Sequence, residues 1–154
     1  MLFGFVSMHI SEKAVILLLG ISISGCASKY LEPQDSSRAK ITYNVLANTP
    51  DLQIFLYENY DCNKPQMMAS LKKQSSDQAV TTYVSSKKPL INSFRVLSNN
   101  GWYFSAIEFG PEQNGSYVVT VNGSNFLNIV TMRASAGSLA LEPTAKKPEK
   151  VCKW

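Results

Sequence analysis

The sequence predicts an all-β protein: an antiparallel β-sandwich or small barrel of about seven or eight strands. Three observations carry this expectation. Apolar residues recur with period two rather than 3.6. Turn signals rich in Gly, Pro and Asn interrupt the chain roughly every ten residues. Strong helix signals are missing from residue 38 onward.

The first strand is "KITYNVL", where Ile41, Tyr43 and Val45 share one face and Lys40, Thr42 and Asn44 the other. An Asn-Thr-Pro-Asp turn leads to "LQIFLY" (52–57), apolar enough for a central strand. "AVTTYV" (79–84) and "LINSFRVL" (90–97) follow, separated by Ser-Ser-Lys-Lys-Pro. "WYFSAIEF" (102–109) comes after Asn99-Asn100-Gly101, and "SYVVTV" (116–121) after "GPEQNG". Asn122-Gly123 then leads into "NFLNIVTM" (125–132); Asn-Gly between strand-like runs is a strong hairpin signal, because both residues tolerate positive φ. A weaker strand, "SLALE", closes the set. The stretch 63–78, "NKPQMMASLKKQSSDQ", has the least clear pattern and reads either as a loop or as one short helix around Met67–Lys73. Met67 and Met68 read as gap-filling beneath that loop.

The 154 residues suit one domain. Hydrophobic residues make up 45% and charged residues only 17%, a balance common in exported β-rich proteins. The net charge of +4 is spread along the chain, and the lysine pairs 72–73, 87–88 and 146–147 read as solvated surface. A nucleic-acid binder carries a denser basic stripe interleaved with aromatics, so nucleic acid is excluded as a partner.

The run Ala14–Ile23 is ten residues long, against the ~20 that a spanning helix needs. It fits the h-region of a signal peptide, with Lys13 before it. Translation starts at Met1 or at Met8, since "MLFGFVS" is unusual for an n-region and Glu12 offsets Lys13. The run ends in "ISGC", which resembles the lipobox of bacterial lipoproteins: an aliphatic residue, two small residues, then a cysteine. The resemblance implies removal of residues 1–25, lipid on the Cys26 thiol and an acylated new amine. No other cofactor is expected. Three acyl chains, at ~0.8 kcal/mol per buried methylene, hold far more firmly than one myristoyl chain. Ala27 and Ser28 follow the cysteine, with no Asp beside it. By resemblance to the Gram-negative sorting rule, this implies the outer membrane, with the domain in the periplasm or at the cell surface.

Residues 26–37 then form the lipidated cysteine and a polar tether, and the domain is expected over 38–154. A flexible tether of this length spans on the order of 18 Å. Of the three cysteines, lipidation takes Cys26 and leaves Cys62 and Cys152 as a disulfide pair suited to an oxidising periplasm. Two cysteines without histidine make a poor zinc set, so no metal is expected.

The single histidine, His9, lies in the segment to be removed. Ser-His-Asp and Cys-His catalysis are then excluded, and no catalytic residue is expected. Asp51, Glu58, Asp61, Glu108, Glu112 and Glu142 are scattered without the spacing of a metal loop. Asn114-Gly115-Ser116 and Asn122-Gly123-Ser124 match the glycosylation sequon but read more simply as turns. Aromatic side chains read first as core packing and edge tyrosines, and secondly as a candidate binding patch: Tyr57 and Tyr60 beside the Cys62 loop, with Trp102 and Tyr103 at a strand start.

"LQIFLYENYDC", "FGPEQNGSYVVTV" and "VCKW" together resemble a loose group of small Gram-negative lipoproteins with a disulfide-bonded β domain. That resemblance implies fold and location. The expected function is a membrane-anchored, non-enzymatic binding or accessory module that meets an envelope or extracellular protein. Two alternatives are an inhibitor of a host or rival hydrolase such as lysozyme, acting through the 58–64 loop, and a β-sandwich lipoprotein of a secretion apparatus.

Overall fold

A computed structural model of the chain describes residues 27–57, 62, 64–124, 127–135 and 138–152. The leader, Cys26, Tyr60 and most of the 58–64 loop lie outside the described residues. Ten strands run in chain order: β1 (Ser28–Lys29), β2 (Arg38–Val45), β3 (Asp51–Tyr57), β4 (Gln66–Leu71), β5 (Gln78–Ser85), β6 (Leu90–Ser98), β7 (Gly101–Phe109), β8 (Ser116–Asn122), β9 (Asn128–Ser135) and β10 (Ser138–Leu141). No helix occurs among the described residues. The all-β expectation holds.

The strands form two open five-stranded sheets, β1-β4-β3-β6-β7 and β10-β9-β8-β2-β5, with no closed barrel. They face each other as in a sandwich. Both sheets are mixed rather than antiparallel: β2 runs parallel to β8, with Ile41 opposite Tyr117, and β1 runs parallel to β4. The period-two pattern fixes which side chains turn inward and carries no information on strand direction.

Alternation builds the core as expected. Ala39, Ile41, Tyr43 and Val45 of β2 are buried, as are Tyr117, Val119 and Val121 of β8. They meet Leu52, Ile54, Phe94 and Val96 of the other sheet in one cluster. A polar tie crosses this core: the Tyr43 hydroxyl donates to Asn92 Oδ1 at 2.8 Å, and Asn92 Nδ2 donates to the Phe55 carbonyl at 3.3 Å. Asn92 is fully buried, so both bonds offset the cost of removing its amide from water.

Strand β3 is covered on both faces, which explains its nearly continuous apolar run. Phe55 and Tyr57 point away from the main core into a second cluster with Ile91 and Cys152. The Cys62–Cys152 disulfide, with Cα atoms 5.4 Å apart, holds the C-terminal segment over this outer face. The expected pairing of these two cysteines is present.

Three local expectations change. Residues 66–71 form strand β4, neither loop nor helix; its side chains are mostly half-buried, so the alternation is blurred. Met67 and Met68 sit on this strand and not beneath a loop, with Met68 at a register shift between Ile54 and Phe55. The segment read as a tether lies against the body: Ser28 and Lys29 pair with Gln66 and Met67, and Tyr30 packs on the core. Residues 28–37 are therefore packed against or bonded to the body ahead of Arg38.

The expected hairpin at Asn122-Gly123 is present as β8–β9, with Asn122 opposite Asn128 across a longer loop. The tight hairpin is β6–β7, where Ser98 pairs with Gly101 across Asn99-Asn100 and Gly101 adopts φ 114°. Gly123 is required by close approach instead, because a Cβ there would come within 2.9 Å of Thr49 Cγ2.

Candidate functional site

The two sheets meet along two lateral seams. At one, β7 of the first sheet approaches β9 of the second. At the other, the segment after β1 ties β4 to β5, since the Tyr30 amide bonds the Met67 carbonyl and its hydroxyl the Tyr83 carbonyl. Each seam is bridged by a segment outside the main strands, and the second encloses the candidate site.

That bridge is residues 28–33, which leave β1 and cross to β5. The Tyr30 hydroxyl donates to the Tyr83 carbonyl at 2.8 Å. Glu32 Oε1 accepts from Thr82 Oγ1 at 2.6 Å and from the Tyr83 amide at 3.2 Å. Further along, Lys87 Nζ meets Asp35 Oδ2 at 2.9 Å. Burial, aided by the Glu32 charge, pushes the Tyr30 phenol up to about 12, so it remains a neutral donor at physiological pH. Hydrogen bonds from Ser37 and Lys87 lower Asp35 to about 2.

Beneath this strap lies a groove of about 620 Å³. Its walls are mostly apolar, with Leu56 and Leu90 from one sheet, Val84 from the other, and Tyr30 and Leu31 from the strap. Leu31 is 81% exposed and forms an apolar lip. Lys29, Lys87 and Lys88 line the same groove. The volume falls within the ~300–1,000 Å³ of small-molecule sites. Chemically the groove offers an apolar slot beside several cations.

No protein-family model matches this chain, and no curated protein sequence matches it. The groove must therefore be read from its own residues.

Of the expected aromatic patch, Tyr60 lies outside the described residues, and Tyr57 lies apart from Trp102 and Tyr103. Tyr57 is 1% exposed, packed in the cluster beneath the disulfide-held segment, although it also contributes to the groove's floor. Trp102 and Tyr103 are each about half exposed, at the far end of the same sheet. Trp102 pairs with Leu97 and Tyr57 with Ile91, which places them six residues apart along β6. Arg95 lies 4.2 Å from the Trp102 ring centroid and bonds Gln53 Oε1, so a guanidinium covers part of that indole.

At the opposite seam, residues 142–146 join both sheets. The Glu108 amide donates to the Lys146 carbonyl and the Lys146 amide to the Glu108 carbonyl, both at 2.8 Å. The Glu142 amide donates to the Thr131 carbonyl at 3.0 Å. The Glu142 carboxylate is buried and accepts from Arg133 Nε at 2.9 Å and Thr144 Oγ1 at 2.7 Å. Burial opposes its charge, but the Arg133 and Thr144 bonds outweigh it and hold the carboxyl below its usual range. Glu112 binds the other side of Arg133 at 2.9 Å. This network is structural glue between β9 and the C-terminal segment. Among the described residues, no group of three or more His, Cys, Asp or Glu side chains is placed to hold a metal.

The sequence analysis missed both the groove and this network. Tyr30 and Leu31 were the available signal for the groove, two large apolar side chains in an otherwise polar stretch. Arg133 and Glu142 are nine positions apart and meet only because β9 and β10 form a hairpin.

Proposed function

We propose that this chain is a lipoprotein of the outer membrane, anchored through Cys26, whose body is a non-enzymatic binding or accessory module of the cell envelope. The carrying observation is the cysteine pairing. The disulfide takes Cys62 and Cys152, which leaves Cys26 as the thiol that the "ISGC" sequence offers to lipid. A disulfide also suits an oxidising compartment outside the cytoplasm. The binding role draws support from the groove, a concave apolar slot with cations at its rim. Its non-catalytic character rests on the sequence, where His9 precedes the lipobox.

Intact mass of the membrane-extracted protein, unreduced and reduced, tests this reading. The expected species starts at Cys26, carries three acyl chains, and gains two hydrogens on reduction. An uncleaved N-terminus, or an unmodified Cys26, overturns the anchor. Crosslinking in intact envelopes, followed by recovery of the protein, tests the accessory role. A specific envelope or extracellular protein is expected at the crosslink, and recovery of the uncrosslinked chain alone contradicts it.

A further inference from the structure

We propose that the groove binds an anionic phospholipid of the membrane that carries the chain, one acyl chain lying between the sheets and the phosphate meeting the rim lysines. The identity of that membrane rests on the anchor reading above; the groove chemistry does not.

Three observations argue for this occupant. First, the wall is the inside of a sandwich seam. Leu56, Val84 and Leu90 are core-facing side chains of facing sheets, and they give the groove a largely apolar wall. An alkyl chain suits such a wall, because it asks for no hydrogen bonds from it. Second, the charges at the mouth are complementary to a phosphate. Lys29, Lys87 and Lys88 line the groove, and the nearby carboxylates are engaged: Glu32 with Thr82 and Tyr83, and Asp35 with Ser37 and Lys87. The Asp35–Lys87 pair is more than half exposed on both sides. Such a surface pair contributes little and exchanges readily for an incoming phosphate. Third, the chain outside the described body ends at this mouth. Cys26 is two residues from Ser28, which lines the groove, and two residues span at most ~7 Å. A lipid attached there brings the groove to the headgroup layer, and the exposed Leu31 lines the same groove.

A peptide strand is the weaker occupant. It would need a free backbone edge in the groove. The edge of β4 is already paired by β1, and on β5 the Tyr83 amide and carbonyl are taken by Glu32 and Tyr30.

The test uses the full chain, produced with its leader and extracted from membranes in mild detergent. Native mass spectrometry follows titration with palmitoyl-lysophosphatidylglycerol or palmitoyl-lysophosphatidylcholine. One saturable adduct is expected, with about tenfold preference for the anionic lipid. Gln66→Trp, at a half-buried lining position opposite Leu56 and on the same sheet face, fills the groove and abolishes the adduct. Lys87→Glu/Lys88→Glu, at surface positions that leave folding unaffected, keeps the adduct but removes the preference. Absence of a saturable adduct on a chain acylated at Cys26 overturns the groove assignment and leaves the anchor intact. A saturable adduct on a chain with unmodified Cys26 does the reverse. Equal affinity for the two headgroups overturns the role of the lysines, and an adduct that survives Gln66→Trp unchanged overturns the location.

Discussion

The two seams of this sandwich are closed by different chemistry. Between β7 and β9, the C-terminal segment is stitched by main-chain bonds to both sheets, with a buried carboxylate and guanidinium behind them. Between β4 and β5, a two-residue strand and a few side-chain bonds carry the N-terminal strap across. Backbone pairing brings elements to ladder distance, and the cavity left at that seam is the smaller one, about 400 Å³, lined by Ile107, Ile129, Thr131 and Lys146 among others. A strap held through a tyrosine ring and a glutamate stands farther off, and the space beneath it is the groove. Strength at one seam thus goes with structure, and looseness at the other with binding.

The largest effect on this contrast comes from the disulfide. Its partners are 90 residues apart, and opening it by reduction or Cys62→Ser costs about 4–5 kcal/mol in the chain-entropy model. Urea denaturation with and without reductant measures this. The loss should uncover Phe55 and Ile91 while the strap contacts at Tyr83 survive.

Next comes Glu142→Gln, which replaces a buried, charge-assisted acceptor. A loss of about 2 kcal/mol is expected by urea denaturation. The same residue sets an acid limit. Its folded carboxyl titrates below the unfolded one, so its stabilisation is complete above the unfolded value and fades as pH falls through the folded one. Thermal melts between neutral pH and pH ~3 should show part of the acid destabilisation vanish in Glu142→Gln. An unchanged acid limb would place that titration elsewhere.

The strap is the weaker side. Tyr30→Phe removes one hydrogen bond and should cost about 1 kcal/mol, half or less of the Glu142 effect. Smallest of all is Asp35→Asn. Its ion pair with Lys87 is exposed, so the melting temperature should stay within error of the parent. If Asp35→Asn destabilises more than Tyr30→Phe, the strap is held by its charges and not by its buried ring.

Much of the fold was legible from period two alone. The inward faces of β2 and β8 follow directly from alternating Ile41, Tyr43, Val45 and Tyr117, Val119, Val121. The disulfide followed from cysteine count and the lipobox. Strand β4 was hidden because "QMMASL" is nearly uniformly half-buried, so no face stands out. The parallel β2–β8 pairing joins strands some 75 positions apart, and no local signal encodes that choice. For Tyr57, core packing and an exposed patch beside the Cys62 loop were both open from the sequence. It is buried by a tail that arrives from residue 152. The groove escaped for a related reason: it forms only when a stretch that looks like a linker folds back onto an edge strand. The Trp102 end of the same sheet shows the converse, with Trp102 and Tyr103 half exposed.

Native-state hydrogen exchange compares the two seams most directly. The amides of Ser28 and Tyr30 bond the Pro65 and Met67 carbonyls, while those of Glu108 and Lys146 bond each other's carbonyls. The account predicts that Glu108 and Lys146 exchange only near global unfolding, whereas Ser28 and Tyr30 exchange earlier through local opening of the strap. Lysophosphatidylglycerol should slow the second pair and leave the first unchanged. Equal protection at both seams, with no response to the lipid, would contradict it.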